Sequence, residues 1–454
     1  YMVTNNFENG YDKNIKKVTH VVSEKMELIK LATFLATKNK IHNDFIIYEN
    51  NFDIYLGLGV LTKIDVKKDK FIINSSESKE VKCNELTKEL KNILKGISDE
   101  DWNAYGLIDF DYAKYVYMNK NNLDNKNLIE IIFPQIDINI KNTGDILIKA
   151  KNEKDLSVIE KLIYEFKAVK NEYEMTDVSD DIINFGKDKY KEIVSQAVND
   201  INNGEYEKVI LSRKIPLNKR VDMYQSYLYG RQKNTPARSY YIKVDGREII
   251  GFSPETVVEV DREKNVYTFP LAGTRALCKN LEERKRLKKE LLTDTKEIAE
   301  HAISVKLAFE ELENCCEKDS VEIIKFMDVI ERGTVQHLAS RLKGRLKENL
   351  NEWDALTSLF PAVTATGIPK KESIEAISRM EENDRELYSG GVFKLNNFGE
   401  LDVALVLRSA FQNNKESWLR VGAGIVSMSN PERELEETKE KISSVLNQII
   451  YEED

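Results

Sequence analysis

The sequence predicts an α+β fold of large, mostly antiparallel β-sheets flanked by helices. Three observations predict it. Strand-like runs follow one another across short turns, with helices interspersed, rather than in strict βαβ alternation. Apolar residues make up 41 % of the 454 positions, enough for an extensive buried core. No repeat, low-complexity linker or Pro-rich hinge divides the chain. A single domain is therefore expected over 16–454. Within it, 16–186 completes the sheets and 187–454 holds the unusual positions.

The opening segment, 1–15, is polar, lacks a signal-peptide core and is expected to be mobile. VVSEKMELIKLATFLATKN (21–39) has a helical period. DFIIYEN (44–50) and NFDIYLGLGV (51–60) read as neighbouring strands, and KFIINS (70–75) as another. GLG at 57–59 lacks the third glycine and the following helix of a dinucleotide fingerprint, and reads as a strand bend. NELTKELKNILKGI (84–97) is an amphipathic helix. Strands are expected over 128–140 and 144–152, then a helix over 153–170. The helix 188–204 leads into the strand YEKVILSRKIPL (206–217). A meander follows: SYYIKV (239–244), REIIGFSPETVVEV (247–260) and VYTFPLAGTRAL (266–277), with Asp-Gly turn chemistry. A long helix is expected from Glu282 to Cys316. Strands are expected over 386–395, 400–411 and 418–428, and a last helix begins at Pro431, a residue suited to a first helical turn.

Composition narrows the function. The chain has 68 basic and 77 acidic residues, a net charge of −9. That argues against a sequence-independent nucleic-acid coat. A small anionic substrate would need local cations against the global sign. No apolar run approaches the ~18 residues of a membrane span. Cys83, Cys278, Cys315 and Cys316 match no zinc ribbon or CxxC pair and are expected to be reduced thiols in the cytoplasm. The four histidines are scattered, which disfavours a histidine-based zinc site.

Several constellations carry chemical potential. Glu434, Glu437 and Lys441 share one helical stripe, and Glu297 and Glu300 stand at i, i+3 on another helix. Two such faces suit a hard divalent cation such as Mg²⁺. They equally suit solvated salt-bridging. Lys208 stands at the mouth of an apolar strand, where burial or a nearby charge would tune it as a base. Otherwise it is an ordinary strand-edge lysine. Glu255, after Ser-Pro between apolar strands, is either a general acid or a hydrated turn residue. Glycine turns at 271–276, 364–370, 387–391 and 421–425 let main-chain N–H groups approach an anion. Arg408 lies in the apolar run ALVLRSAF, where a guanidinium needs an anionic partner.

Taken together and in order, PLAGTRA, KEIAEH, VQHL, GIPK, YSGG, LRSAF, GAGI and PERELEETKEK resemble the chorismate-utilising enzymes. That family includes anthranilate synthase component I, aminodeoxychorismate, isochorismate and salicylate synthases. The resemblance covers roughly 187–451 and implies one chorismate and one Mg²⁺ per chain. FPAVTATGIPK, FMDVIERGTVQHLAS and ELYSGGVF look most like the salicylate synthases, which form isochorismate and then salicylate plus pyruvate, usually for siderophore assembly. Lys208 stands where amine-forming members usually carry glutamine. Ala272 stands where aminodeoxychorismate synthases usually carry lysine. Thr366, Thr334, Gly391 and Ala339 depart from the expected pattern by changes conservative in size.

By that resemblance, Glu300 and Glu437 ligate Mg²⁺ directly, and Glu297 and Glu434 reach it through water. Lys208 activates water for attack at C2, and Glu255 assists loss of the C4 hydroxyl. Tyr388, Arg408 and the main-chain N–H of Gly422 hold the pyruvyl carboxylate. Lys441, Gly273 and Thr274 border the ring carboxylate, and His337 and Thr364 line the ring. The resemblance also implies a monomer without a glutaminase subunit. Isochorismate synthase, and an amine-forming synthase subunit, are the alternatives.

Overall fold

The computed structural model describes residues 14–20, 24–51, 53–98, 100–170 and 179–453. Of the expected mobile segment, residues up to 13 lie outside this description, whereas Asn14 already begins a strand, Asn14–Thr19.

Two large sheets organise these residues, one of eleven strands and one of twelve. Every pairing described is antiparallel. In the first sheet, Phe45–Asn50 joins four other N-terminal strands to Arg238–Val244. The order then runs through Arg247–Ser253, Ser409–Gln412, Ser417–Ile425 and Lys208–Leu217 to the short Gly367–Ile368. In the second sheet, Asn103–Ile108 joins the N-terminal strands to Gly391–Asn396. Leu401–Leu405, Thr256–Val260, Asn265–Thr268, Val335–Arg345 and Leu271–Ala276 complete it, with Glu322–Arg332 pairing beside Val335–Arg345.

The sheets enclose a shared core that includes Tyr48, Tyr240 and Phe411 from one and Tyr105, Ile132 and Val392 from the other. Helices cover the outer faces. Leu86, Leu90 and Leu94 recur every fourth residue and give the helix Leu86–Lys95 one buried stripe. Ile136–Ile140 alternates buried and half-buried positions, as a strand with one face on a core requires.

Two strands change sheets side by side, and this decides where the site lies. Arg247–Ser253 belongs to the first sheet and, after only Pro254 and Glu255, continues as Thr256–Val260 in the second. Its antiparallel neighbour does the reverse, from Leu401–Leu405 through 406–408 into Ser409–Gln412. The expected continuous strand through ALVLRSAF is therefore corrected. Arg408 has φ 50° and ends the crossover rather than sitting within a strand. The expected strand over 386–395 begins only at Gly391, because Ser389 adopts φ 66°.

The expected single helix 282–316 is two, Leu281–Thr293 and Thr295–Cys315. Asp294 interrupts them with ψ 112°, and its carboxylate accepts from the N–H groups of Lys296 and Glu297. A good N-cap thus restarts the helix one turn before Glu297 and Glu300. The final helix, Pro431–Leu446, begins at the expected proline, with Asn430 capping Glu432 and Arg433. GLG ends its strand in a turn at Gly59, φ 69°. The four cysteines are free, and none of the described helices is long and apolar enough to cross a membrane.

Candidate active site

Glu255 and Arg408 face each other because both lie at the sheet crossovers. The Leu405 N–H donates to the Glu255 carbonyl at 3.1 Å, and the Phe252 N–H donates to the Arg408 carbonyl at 3.2 Å. The Glu255 side chain is buried and accepts the Thr364 hydroxyl at 2.6 Å. Burial pushes its carboxyl up to about 8, against the opposing pull of Thr364, Arg408, Arg332 and Lys370. Desolvation outweighs three nearby cations, so this carboxyl is neutral at pH 7 and holds a proton it can donate.

Arg408 shows the converse. Burial lowers its pKa, and repulsion from Arg332 adds to this. No hydrogen-bonded carboxylate accompanies it among the described residues. Arg332 donates only to the carbonyls of Pro254 and Glu331 and is likewise lowered by burial. Two desolvated guanidinium groups without an acid partner form a receptor for an anion.

His337 lines the same space. Its Nδ1 lies 3.0 Å from the Thr274 hydroxyl, while Nε2 is buried without a partner. Burial, with repulsion from Arg408 and Arg332, pushes its pKa down to about 4. The ring is thus neutral, with the Thr274 hydroxyl and the Gly273 main chain as its partners. Gly273 sits at a bulge opposite His337's strand with φ 85°, and a Cβ there would lie 3.1 Å from Glu297 Oε2. Glycine permits both the backbone and the close carboxylate.

On the other side, Lys208 heads the strand Lys208–Leu217, pairs with Ile368, and forms an ion pair with Glu300. A Cβ on Gly424 would lie 2.9 Å from Lys208 Cε, so the glycine leaves room for the lysine stem. Two residues along, the Gly422 carbonyl accepts from Lys441 Nζ at 2.7 Å, and Lys441 pairs with Glu437 at 3.0 Å. The two acidic helices therefore border one strand end. Tyr388 is buried on the turn beside the Arg408 crossover, where the Ser389 N–H donates to the Val406 carbonyl at 2.8 Å. Burial pushes its phenol up to about 12. The main-chain role expected of Gly422 rests on its N–H. The contact present involves its carbonyl.

The carboxylates are all hard oxygen donors, suited in kind to Mg²⁺. Glu434 Oε2 is buried without a partner, and burial with the Glu437 charge raises its pKa. That is an unmet negative site. The other three are each held by a cation of the protein: Glu297 by Arg275 at 2.9 Å, Glu300 by Lys208, and Glu437 by Lys441. Among the described residues, no three histidine, cysteine or carboxylate groups converge as a metal cage.

Local sequence pattern does not single out Arg332, Lys370 or Arg275. Arg332 sits in the charged doublet ERG, which looks like a hairpin turn in water. Lys370, within GIPK, forms a buried pair with Glu311 in a pocket also lined by Glu255 and Thr364.

Comparison with known proteins bears on this arrangement. Solved structures of anthranilate synthase component I from Streptococcus pneumoniae and the menaquinone-specific isochorismate synthase from Escherichia coli share the fold. Their TM-scores are 0.72 and 0.73, with 24 % and 19 % identity. They cover 88 % and 98 % of this chain, and 92 % and 95 % of their own chains. A salicylate synthase from Mycolicibacterium paratuberculosis is 44 % identical over 261 residues, 58 % of this chain and 58 % of that protein. Anthranilate synthase component 1 from Bacillus subtilis is 32 % identical over 335 residues, 74 % of this chain and 60 % of that protein. The chain thus spans somewhat over half the length of these sequence relatives. A family profile described as chorismate binding enzyme matches residues 39–447, across both sheets and every site residue named above. The chain belongs to the chorismate-binding enzyme family.

Proposed function

We propose that the protein is a Mg²⁺-dependent salicylate synthase that converts chorismate, through isochorismate, to salicylate and pyruvate. The observation that carries the reading is a buried Glu255, its carboxyl pushed up to about 8, bonded to Thr364 just ahead of the short strand whose Ile368 pairs with Lys208. The likeness to a salicylate synthase supports it.

Chorismate is a dianion. Arg408 and Tyr388 bind the pyruvyl carboxylate, and Lys441, Gly273 and Thr274 border the ring carboxylate. Lys208, as the neutral amine rather than the ammonium paired with Glu300, takes a proton from water as the water oxygen attacks C2. Glu255 gives its proton to the C4 hydroxyl, which leaves as water, so the first step is a net isomerisation. Neutral His337 lines the ring without adding charge. In the second step the C2 hydrogen passes to the enolpyruvyl methylene while the C–O bond breaks. Pyruvate leaves and the ring becomes aromatic. That step needs no further base, only a pocket that holds the side chain over C2. Glu297, Glu300, Glu434 and Glu437 would hold Mg²⁺, which when bound polarises a carboxylate as a Lewis acid.

Water is the nucleophile in this reading, so a cytoplasmic monomer without a glutaminase suffices, and siderophore assembly is the destination of the product. Isochorismate supplied directly should yield salicylate and pyruvate. Isochorismate that persists unchanged would mean that the reaction stops at isochorismate formation.

A further inference from the structure

Arg385 touches no position expected of the substrate, yet it binds beside three residues of the site. Its guanidinium is buried, and each of its five N–H groups has an acceptor. Nε donates to Glu381, at 2.9 Å to Oε2. One terminal nitrogen donates to the Ala365 carbonyl at 2.6 Å and the Ser389 hydroxyl at 2.9 Å. The other donates to the Ile210 carbonyl and Glu381 Oε1, both at 2.7 Å. Ala365 follows Thr364, which binds Glu255. Ser389 follows Tyr388. Ile210 is two residues beyond Lys208, and its N–H donates to the Thr366 carbonyl at 2.7 Å. Glu381 is itself fixed by the Ser212 N–H at 3.0 Å, the Ser212 hydroxyl at 2.7 Å and Arg420 at 3.1 Å.

We propose that Arg385 is a positioning residue: its fork sets the spacing between the Lys208 strand, the Thr364 loop that holds Glu255, and the Tyr388 turn. A planar guanidinium can bridge three segments in fixed directions. A lysine ammonium, with three donors on one atom, cannot. The turn it holds is strained, with Ser389 at φ 66° and Glu386 at φ 54°, so an anchor is needed to keep Tyr388 in place. The alternative is a buried ion pair that only stabilises the fold.

The proposal rests on the salicylate reading for the roles of Lys208, Glu255 and Tyr388, and the test separates the two. Chorismate turnover with Mg²⁺ is measured for the wild type, Arg385→Lys, Arg385→Gly and Ser389→Ala, with circular dichroism and thermal melting on each. Arg385→Lys keeps the charge against Glu381 but loses the fork. It should lose kcat by about 10²-fold, the cost expected of a misplaced catalytic group, with a smaller rise in KM from a displaced Tyr388. Millimolar guanidinium chloride should restore kcat to Arg385→Gly, and equal ammonium chloride should not. Ser389→Ala, which removes one peripheral acceptor, should lower kcat several-fold while melting like the parent. Folded Arg385→Lys and Ser389→Ala proteins with parental kcat would overturn the proposal. So would losses that follow only the unfolded fraction and ignore guanidinium. The identity of the wild-type product tests the salicylate reading separately, since the ratio of variant to parent kcat is meaningful whichever product forms.

Discussion

Replacing Glu255 with glutamine should make the protein less active and, at high pH, more stable. The folded carboxyl is pushed from 4.5 up to about 8 by burial. A raised carboxyl pKa means that the folded state holds the proton more tightly than the unfolded chain does. Stability is then highest below about pH 4.5, declines as pH rises, and levels off above about 8. At ~1.36 kcal/mol per pH unit, the full cost is about 5 kcal/mol, of which about 4 kcal/mol develops between pH 5 and pH 9. Glutamine has the shape of the protonated acid, still accepts from Thr364, and has no proton to lose. Urea unfolding of both proteins at pH 5 and pH 9 measures the effect. The advantage of Glu255→Gln should be small at pH 5 and several kcal/mol larger at pH 9. Turnover of chorismate should meanwhile fall by ~10²- to 10⁴-fold, because the variant cannot donate a proton. Equal stability differences at the two pH values would refute the burial argument.

Three further outcomes follow from the same geometry. Lys208→Ala should block formation of isochorismate from chorismate by ~10²-fold or more while sparing pyruvate release from supplied isochorismate. Equal loss of both, by product chromatography, would deny Lys208 its role as base. Chelator should abolish turnover and Mg²⁺ restore it, with Glu437→Gln shifting the Mg²⁺ titration to higher concentration; full activity of that variant in chelator would end the metal argument. His337 is lowered from 6.5 to about 4, so its contribution is present above 6.5 and lost as pH falls toward 4. His337→Gln should therefore remove up to about 3 kcal/mol of acid destabilisation, and the wild-type pH–rate profile should lack a limb near 6.5.

The sequence showed the secondary structure best where one face meets a core. Leu86, Leu90 and Leu94, or the isoleucines of 136–140, announce their period because burial on one side is all that local pattern encodes. Strands buried on both faces, such as Asn103–Ile108, give no alternation to read. The breaks were harder. Nothing in ALVLRSAF shows that the chain leaves one sheet for the other before Arg408, since the crossover depends on a partner strand some 150 residues away in sequence. The helical pattern on both sides of Asp294 concealed the interruption that its cap makes. In the site, glycines and carboxylates stood out by type, whereas Arg332 and Arg385 did not. Their significance lies in burial, and burial of an arginine is fixed by the tertiary structure rather than by its neighbours in the chain.

The central claim is that one chain carries chorismate through both steps. The most direct test is to incubate the protein with chorismate and Mg²⁺ alone, without glutamine or ammonia. Salicylate is then followed by fluorescence and pyruvate by a coupled assay. Salicylate and pyruvate should form in equal amounts, with isochorismate at most transient. Isochorismate accumulating to equilibrium without pyruvate, or anthranilate forming once ammonia is added, would contradict it.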